Sequence, residues 1–504
     1  MKKQITGGVM LSLVSQVISI LVGLVYTPIM IRILGQNEYG LYQLVQSVVN
    51  YLNLMNFGFS GAYIRYYSVA KTRNDEQEIA NINGMFMKVF LFISALCLIA
   101  GVVLFLNINL LGEQLTDADY VIAKELLIIM VINMAISFPS SLYLVFMSAN
   151  EKFIFQKAVG IVSNILIPVL NIPLLLMGYG SVGVVSITLF LTILRLIATV
   201  WYCARELHMK VNMRYTDKGI FAGLLGYTFF IFLSDVVDQL NTNVDKFLLG
   251  RMLGTVSVAI YSVVFTLRHY SLILSWIIPE MFIPEANRLA IEEQDDEKLT
   301  KLFTRIGKYN NYILLLVLTG FILVGRSFVQ LWVGSGYENS YYVCVILMLS
   351  GHIASIQTLG VNIQNAKNMH RTRSVVYFCI ACVNVFCSIF LIRLWGEIGT
   401  ALGTLFAVVI GTGLFMNYYY QKYVKLNVLY FWKEILKWTI PATLLCVMAY
   451  ISTKAIVLDS WIKLLMYAIV YAIVYCILLW VYGLGKEDKA LLTSTLKKMI
   501  RKRT

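Results

Sequence analysis

The segment Arg32-Ile33-Leu34-Gly35, followed past Gln36–Leu41 by Tyr42 and Val45, recurs as Arg251-Met252-Leu253-Gly254 with Tyr261 and Val264 at the same spacing. Polar positions around it keep step: Gln16 maps to Asp235, Ser19 to Asp238 and Asn50 to His269. Each copy falls between two long apolar runs, so the motif marks the first helical hairpin of each of two related halves. An even number of runs separates the copies. The halves therefore enter the membrane in the same direction, related by an axis along its normal, and parallel repeats of this kind place a substrate site between the halves near the midplane.

Composition supports the membrane reading. Hydrophobic residues make up 59% of the 504 and charged residues 13%, too few charges to cover a water-facing surface of this size. Pro28, Pro139, Pro168, Pro173, Pro279, Pro284 and Pro441 all lie inside or at the ends of apolar runs, as kinks or helix ends. The eight cysteines fall within apolar runs, three of them (Cys379, Cys382 and Cys387) in one, and read as small packing residues with no disulfide or metal spacing. Lys2 and Lys3 before an apolar stretch imitate a signal peptide, but the run Val9 to Ile31 is long enough to span and no small-residue cleavage site follows.

A window of about 20 residues finds fourteen spans. Six make a first half: Val9 to Ile31, Leu41 to Ala62, Gly84 to Leu106, Val121 to Met147, Ile154 to Met177 and Val182 to Cys203. Six make a second: Leu225 to Leu249, Val256 to Phe282, Tyr309 to Trp332, Tyr341 to Ile363, Ser374 to Leu394 and Gly396 to Tyr418. Phe431 to Tyr450 and Trp461 to Val481 form an extra pair. The expected organisation is an all-α polytopic protein: lobe 1–203, cytosolic linker 204–218, lobe 219–420, extra pair 421–485 and basic tail 486–504.

Lys and Arg set the orientation. The loop Asn107 to Tyr120 has Glu113, Asp117 and Asp119 and no basic residue, whereas Arg205 to Lys218 and the tail Lys497, Lys498, Arg501, Lys502 and Arg503 are basic. Both termini are thus expected in the cytosol. The net charge of +14 follows from this asymmetry, with attraction to anionic lipid second and no indication of nucleic acid.

The pattern of six, six and two spans, the Arg32–Gly35 motif leading to Tyr42, and Asn56-Phe57-Gly58-Phe59-Ser60-Gly61-Ala62-Tyr63-Ile64-Arg65 ending span two resemble the polysaccharide biosynthesis flippases. These are the Wzx-like transporters of the multidrug/oligosaccharidyl-lipid/polysaccharide (MOP) exporter superfamily. Where that family often has an acidic residue before Arg65, this chain has Asn56. The resemblance implies a V-shaped fold opening alternately to each side of a bacterial cytoplasmic membrane. It also implies translocation of an undecaprenyl-diphosphate-linked oligosaccharide to the outer leaflet. The implied partners are that lipid-linked substrate, membrane lipids and polysaccharide assembly proteins, with no cofactor beyond a coupling proton or sodium ion.

Polar residues inside spans by default face a cavity or a partner helix. Asp235, Asp238, Thr242 and Asp245, with Asn241 beside them, form a stripe on span seven at helical spacing. Ser12, Ser15, Gln16, Ser19, Gly23 and Thr27 form a neutral counterpart on span one, and Gln43, Gln46, Asn50 and Asn53 another on span two. These helices are expected to line the central cavity, unless the neutral stripes serve helix-to-helix contacts. On the basic side, Arg268 and His269 fall half-way along span eight and Arg195 in the inner half of span six. Arg268 is open to two readings, an anion site for the diphosphate or an ion pair with Asp235 or Asp238. Lys88 and Arg326 read as interfacial anchors, and His352 in span ten as a satisfied polar contact rather than a proton relay.

A membrane polysaccharide polymerase is the rival from another class. Such chemistry calls for a large ordered outer loop, and none here exceeds about twenty residues; no nucleotide loop, zinc spacing or serine elbow is present. A cation-coupled multidrug exporter and a peptidoglycan lipid-precursor flippase, both of the same superfamily, share the expected fold.

Overall fold

Hydrocarbon offers the backbone no hydrogen-bond partner, so a spanning segment must satisfy its own N–H and C=O groups. The computed structural model describes residues 2–215, 218–367, 369–453, 456–485, 488–490 and 493, and among them every regular element is helical. The first half runs α1 (Lys2–Asn50), α2 (Phe59–Thr72), α3 (Glu76–Leu106), α4 (Asp117–Ala149), α5 (Phe153–Leu176) and α6 (Gly180–Arg205). It continues with α7 (Lys218–Leu253), α8 (Thr255–Arg288), α9 (Asp296–Val333), α10 (Glu338–Ser355), α11 (Thr358–Ala366) and α12 (His370–Val408). A wide turn leads to α13 (Met416–Tyr419), followed by α14 (Val428–Thr453) and α15 (Trp461–Leu478). The basic tail residues Lys497 to Arg503 lie outside the described residues.

Among the described residues eleven stretches are long and apolar enough to cross a membrane. Two hold two crossings each: Val14–Thr72, with 59 residues, and Thr372–Val424, with 53. At about 1.5 Å per residue each is more than twice the hydrocarbon thickness. Gly35 breaks the first with φ 74°, and Trp395 with Gly396 (φ 55°) breaks the second. With the 36-residue α7 the total is fourteen. The repeated motif acts here through its glycines, since Gly254 between α7 and α8 has φ 92° and so matches Gly35 in a conformation that costs a side-chain-bearing residue.

Two spans are less regular than their apolar runs suggest. Span two passes through a tight turn at Tyr51–Asn56 and left-handed Phe57 and Gly58 before resuming as α2. Gly58 takes that conformation without strain, while Phe57 is held by a stacked ring at 4.7 Å, Phe232 of α7. Span ten is likewise divided, into α10 and α11 at Ile356–Gln357.

Helix ends are capped by side chains. Thr116 and Asp119 form a reciprocal capping box at the start of α4, and Asp75 accepts from Glu78 N at 2.8 Å before α3. Asp295 accepts from Lys298 N at 2.9 Å before α9, a bond that, with the Lys298 ammonium, holds its carboxyl below the usual range.

By internal packing the chain divides into two units, Met1–Ser262 with Ser374–Glu397, and Val263–Arg373 with Ile398–Thr504. Tyr39, Leu41, Leu44, Tyr63, Phe86 and Phe90 are fully buried in the first, while Leu21, Val25, Phe92, Ile99 and Leu106 stay exposed where lipid would contact them. In the second unit α14 and α15 pack on α9, and Trp438 donates to the Tyr475 hydroxyl at 2.7 Å, which donates to Tyr312 O at 2.9 Å.

Loops expected on the same side meet. In the first unit Asn37 donates to Asp119 at 3.0 Å, Glu38 accepts from Ser181 N at 2.6 Å, and Gln114 donates to Met252 O at 3.2 Å. At the other end Lys71 reaches Asn150 at 2.9 Å. There too the linker is strapped along α3: Asn83 donates to Lys210 O at 2.8 Å, Asn212 N to Ala80 O at 2.9 Å, and Lys88 to Tyr215 O at 2.7 Å. A Cβ on Gly84 would fall 1.9 Å from Asn212 O, so the strap needs glycine there. Lys88, read as an interfacial anchor, fastens the linker.

Candidate functional site

Four helical segments of the first unit converge on a buried polar band: α7, the part of α1 beyond Gly35, the start of α8 and the first part of α12. Asp245 on α7 is 2% exposed and accepts from the Tyr261 hydroxyl at 2.6 Å and from Ser388 Oγ at 3.4 Å. Ser388 also lies 3.4 Å from Asn384 Oδ1. Two residues before Asp245, buried Asn243 donates to Gln239 at 2.6 Å and accepts from Asn50 at 3.3 Å. Lys246 donates to Gln43 at 3.3 Å, and Gln43 donates to the Tyr39 hydroxyl at 3.1 Å. Hydrogen bonds to a buried charge contribute about 1.5–3 kcal/mol each, and a carboxylate stripped of them would be far costlier than one in water.

The stripe predicted on α7 does not share one environment. Asp235 is part-buried, Asp238 and Asn241 are exposed, Thr242 donates to Asp238 O, and Asp245 is enclosed in the band. On α1, Gln16 is exposed, while Ser19 accepts from Asn164 of α5 at 2.8 Å, a helix-to-helix contact repeated two turns on by Tyr26 and Asn171 at 3.0 Å. Gln46 is part-buried and Asn50 joins α1 to α7.

The candidate cations are divided between the units. Arg195 lies part-buried on α6 of the first, its Nε without a hydrogen-bond partner among the described residues. Arg268 and His269 belong to the second, His269 exposed. The Arg268 guanidinium lies 5.6 Å from the Phe265 ring centroid, and its Nε would be 3.7 Å from a Cβ at Gly351 of α10. Glycine thus makes room for the guanidinium.

Sequence reasoning passed over Asn243, Lys246, Asn384 and Ser388. The last two are polar residues one turn apart in the apolar run of span eleven, which was the available signal. Tyr261 entered only as part of the repeat; its hydroxyl donates to Asp245 at 2.6 Å.

The family model for polysaccharide biosynthesis proteins matches residues 5–281, more than half of the chain. The chain belongs to that family. It is 21% identical over 520 residues to the uncharacterized membrane protein EpsK of Bacillus subtilis (strain 168), with 97% of each chain covered. Among solved structures it is similar to the lipid II flippase MurJ in an inward closed conformation, with TM-score 0.69, 16% identity and coverage of 93% of this chain and 97% of that one. An inward-facing multidrug resistance MATE family transporter of the MOP superfamily follows, with TM-score 0.59, 14% identity and coverage of 78% and 92%. At these identities the likeness is one of fold. This member of the family is a multi-pass, all-helical membrane protein with the fold of MOP transporters.

Proposed function

We propose that the chain is a flippase carrying an undecaprenyl-diphosphate-linked oligosaccharide, a repeat unit of O-antigen, capsule or exopolysaccharide, from the cytosolic to the outer leaflet by alternating access. It works in the bacterial cytoplasmic membrane with both termini in the cytosol. The observation that carries this reading is the family match over 5–281, which covers the polar band from Asn50 to Tyr261. A glycan needs such neutral and acidic hydrogen-bonding groups at membrane depth, and its lipid diphosphate needs a cation, because an unpaired buried anion is prohibitively costly.

In this mechanism Arg268, helped by His269, holds the diphosphate by guanidinium geometry, and Arg195 is a separate candidate cation of the first unit. The glycan is accommodated by Gln16, Gln46, Asn50, Asn241 and Thr242, while Ser19, expected beside them, is taken up by its contact with Asn164. Asp235 and Asp238 repel the same anion unless neutralised, which gives them the coupling role, by a proton or a sodium ion, with Asp245 held apart by its own donors. Likeness to the lipid II flippase favours a second reading, in which the cargo is the peptidoglycan lipid precursor. The deciding experiment measures lipid-linked oligosaccharide in the two leaflets after depletion of the chain. Accumulation in the inner leaflet supports the proposal. An unchanged distribution, with peptidoglycan precursor retained inside, overturns it in favour of the second reading.

A further inference from the structure

His352 lies at the buried end of a cavity of about 840 Å³ in the second unit, formed by α9, α10 and α14. Arg326, Tyr341 and Tyr342 line its other end, where Arg326 and Tyr342 are exposed. His352 is 8% exposed, and its Nδ1 has no hydrogen-bond partner among the described residues. The reading of this histidine as a satisfied polar contact therefore does not describe Nδ1.

The same condition recurs in steps toward the opposite end of the unit. Asn310 donates to Ser275 O and Ser355 O, both at 3.1 Å, but its Oδ1 is unpartnered among the described residues. Gln357, in the break between α10 and α11, donates to Ile353 O at 3.2 Å and leaves its Oε1 unpartnered in the same sense. Gln364 on α11 is 0% exposed with both amide atoms unpartnered, and Thr304 Oγ1 on α9 completes the set. Gly307 seats the break: a Cβ there would fall 3.0 Å from Ile356 O. Beyond Gln364, Lys367 pairs with Asp296 at 2.7 Å at the helix ends. From Arg326 to Thr304 along α9 is about 33 Å at 1.5 Å per residue, the thickness of the hydrocarbon core.

A buried polar atom left without a bond is costly, and native proteins meet such atoms with ordered water. We propose that His352 is a proton-binding relay, reached by water through the cavity that ends at Arg326, and that Asn310, Gln357, Gln364 and Thr304 mark the hydrated path by which the proton crosses the second unit. The cargo in question is a proton rather than sodium. No carboxylate lines the cavity among the described residues, so a metal cation would find no counter-charge there. Imidazole is the side chain whose unperturbed charge change lies near neutral pH, so among the groups lining the cavity His352 is the one suited to take up and release a proton.

The groups facing His352 set the terms of loading. Arg268 of α8 approaches at Gly351, and Arg326 of α9 shares the cavity. Neither supplies a counter-charge for a buried imidazolium, and a buried charge without one is costly. Tyr341, Tyr342 and Cys344 on its own helix, with Cys446 and Tyr450 of α14, bring no charge of either sign. In the proposed relay the imidazole therefore holds the proton only in passage.

This inference rests on the transporter reading and names the coupling ion that reading left open. The test uses cytoplasmic-membrane vesicles from cells producing the chain, which contain the native lipid-linked cargo, with an acid-outside pH gradient and a trapped pH dye. Chain-dependent acidification is expected, reduced at least tenfold by His352→Gln, which keeps a polar side chain but binds no proton, and by Gln364→Leu. Lys463→Gln, an exposed residue of α15 that lines no part of the cavity, should leave it within twofold. Both impaired variants must melt within a few degrees of wild type, so that lost flux is not lost fold. Full acidification in His352→Gln, or none in wild type, overturns the relay. If wild type moves lipid-linked oligosaccharide without proton uptake, the relay fails and the cargo reading stands. If protons enter with no oligosaccharide moved, the cargo reading fails and the relay stands.

Discussion

Gly40 lies against Thr255 so closely that a Cβ at Gly40 would fall 1.9 Å from the Thr255 carbonyl oxygen. Thr255 also donates to Asn37, and a Cβ at Gly250 would fall 2.5 Å from Leu44. The two copies of the repeated motif thus close on each other, at the end assigned to the outside. Overlap with backbone cannot be relieved by a rotamer change, so Gly40→Val should push these ends apart at a cost of about 1–3 kcal/mol. The expected outcome is a rise of about fivefold or more in labelling of a cysteine placed at Asn50 by a membrane-impermeant thiol reagent added outside. Unchanged labelling with wild-type transport would mean that the contact does not gate.

Tyr261→Phe removes the 2.6 Å donor from buried Asp245. The loss should destabilise by about 1–3 kcal/mol, read as a lower thermal midpoint in detergent. Asp245→Asn in the same background should recover part of it, because a neutral amide tolerates the missing donor better than a carboxylate. A Tyr261→Phe protein that melts with wild type would show that Asp245 is held by its other partners.

Topology is tested directly. Reporters fused after Gly112, Gly178 and Gly334 should report the outside, and those after Asn74, His208 and Asp295 the cytosol. One robustly reversed reporter breaks the alternation.

Single cysteines at Gln16, Asn50 and Asp238, in a chain lacking its native cysteines, should react with small water-soluble thiol reagents. Gln16 and Asp238 are exposed, and Asn50 bridges to α7. Reaction confined to lipid-facing controls such as Leu21 and Val25 would place the aqueous path elsewhere.

Arg268→Ala should abolish export while the protein still reaches the membrane, and Arg268→Lys should retain a fraction, since an ammonium keeps the charge but not the bidentate geometry. Full activity of Arg268→Ala, or its rescue by neutralising Asp235 or Asp238, would make Arg268 an ion-pair residue and send the search for the diphosphate site to other cations.

The fold was legible where sequence and backbone share a period. Fourteen apolar runs and the two repeated glycines at 35 and 254 mapped onto helices and their breaks, because burial in lipid and the sterics of positive φ are read residue by residue. The breaks at Phe57–Gly58 and Ile356–Gln357 were not legible, since hydropathy is averaged over a span and stays apolar across both. In the candidate site, spacing gave the angular position of Asp235, Asp238 and Asp245 around α7 but not their depth. Whether each faces water or Tyr261 depends on which helix packs there, and nothing along α7 itself encodes that.

The linker strap has a practical consequence for anyone who re-engineers this chain. Residues 210–215 are held both by main chain, through the carbonyls of Lys210 and Tyr215 and the N–H of Asn212, and by two of their side chains, Lys210 on Glu76 and Asn212 on Asn81, each at 2.8 Å. The side chains that grip them, Asn83 and Lys88, and the space for them, at Gly84, all belong to α3. The partners all lie on α3, so Val211 and Met213, whose side chains stay exposed, will tolerate substitution while Gly84→Val derails the path. A tag or protease site belongs upstream, around His208, where the chain has left α6 and has not yet been caught.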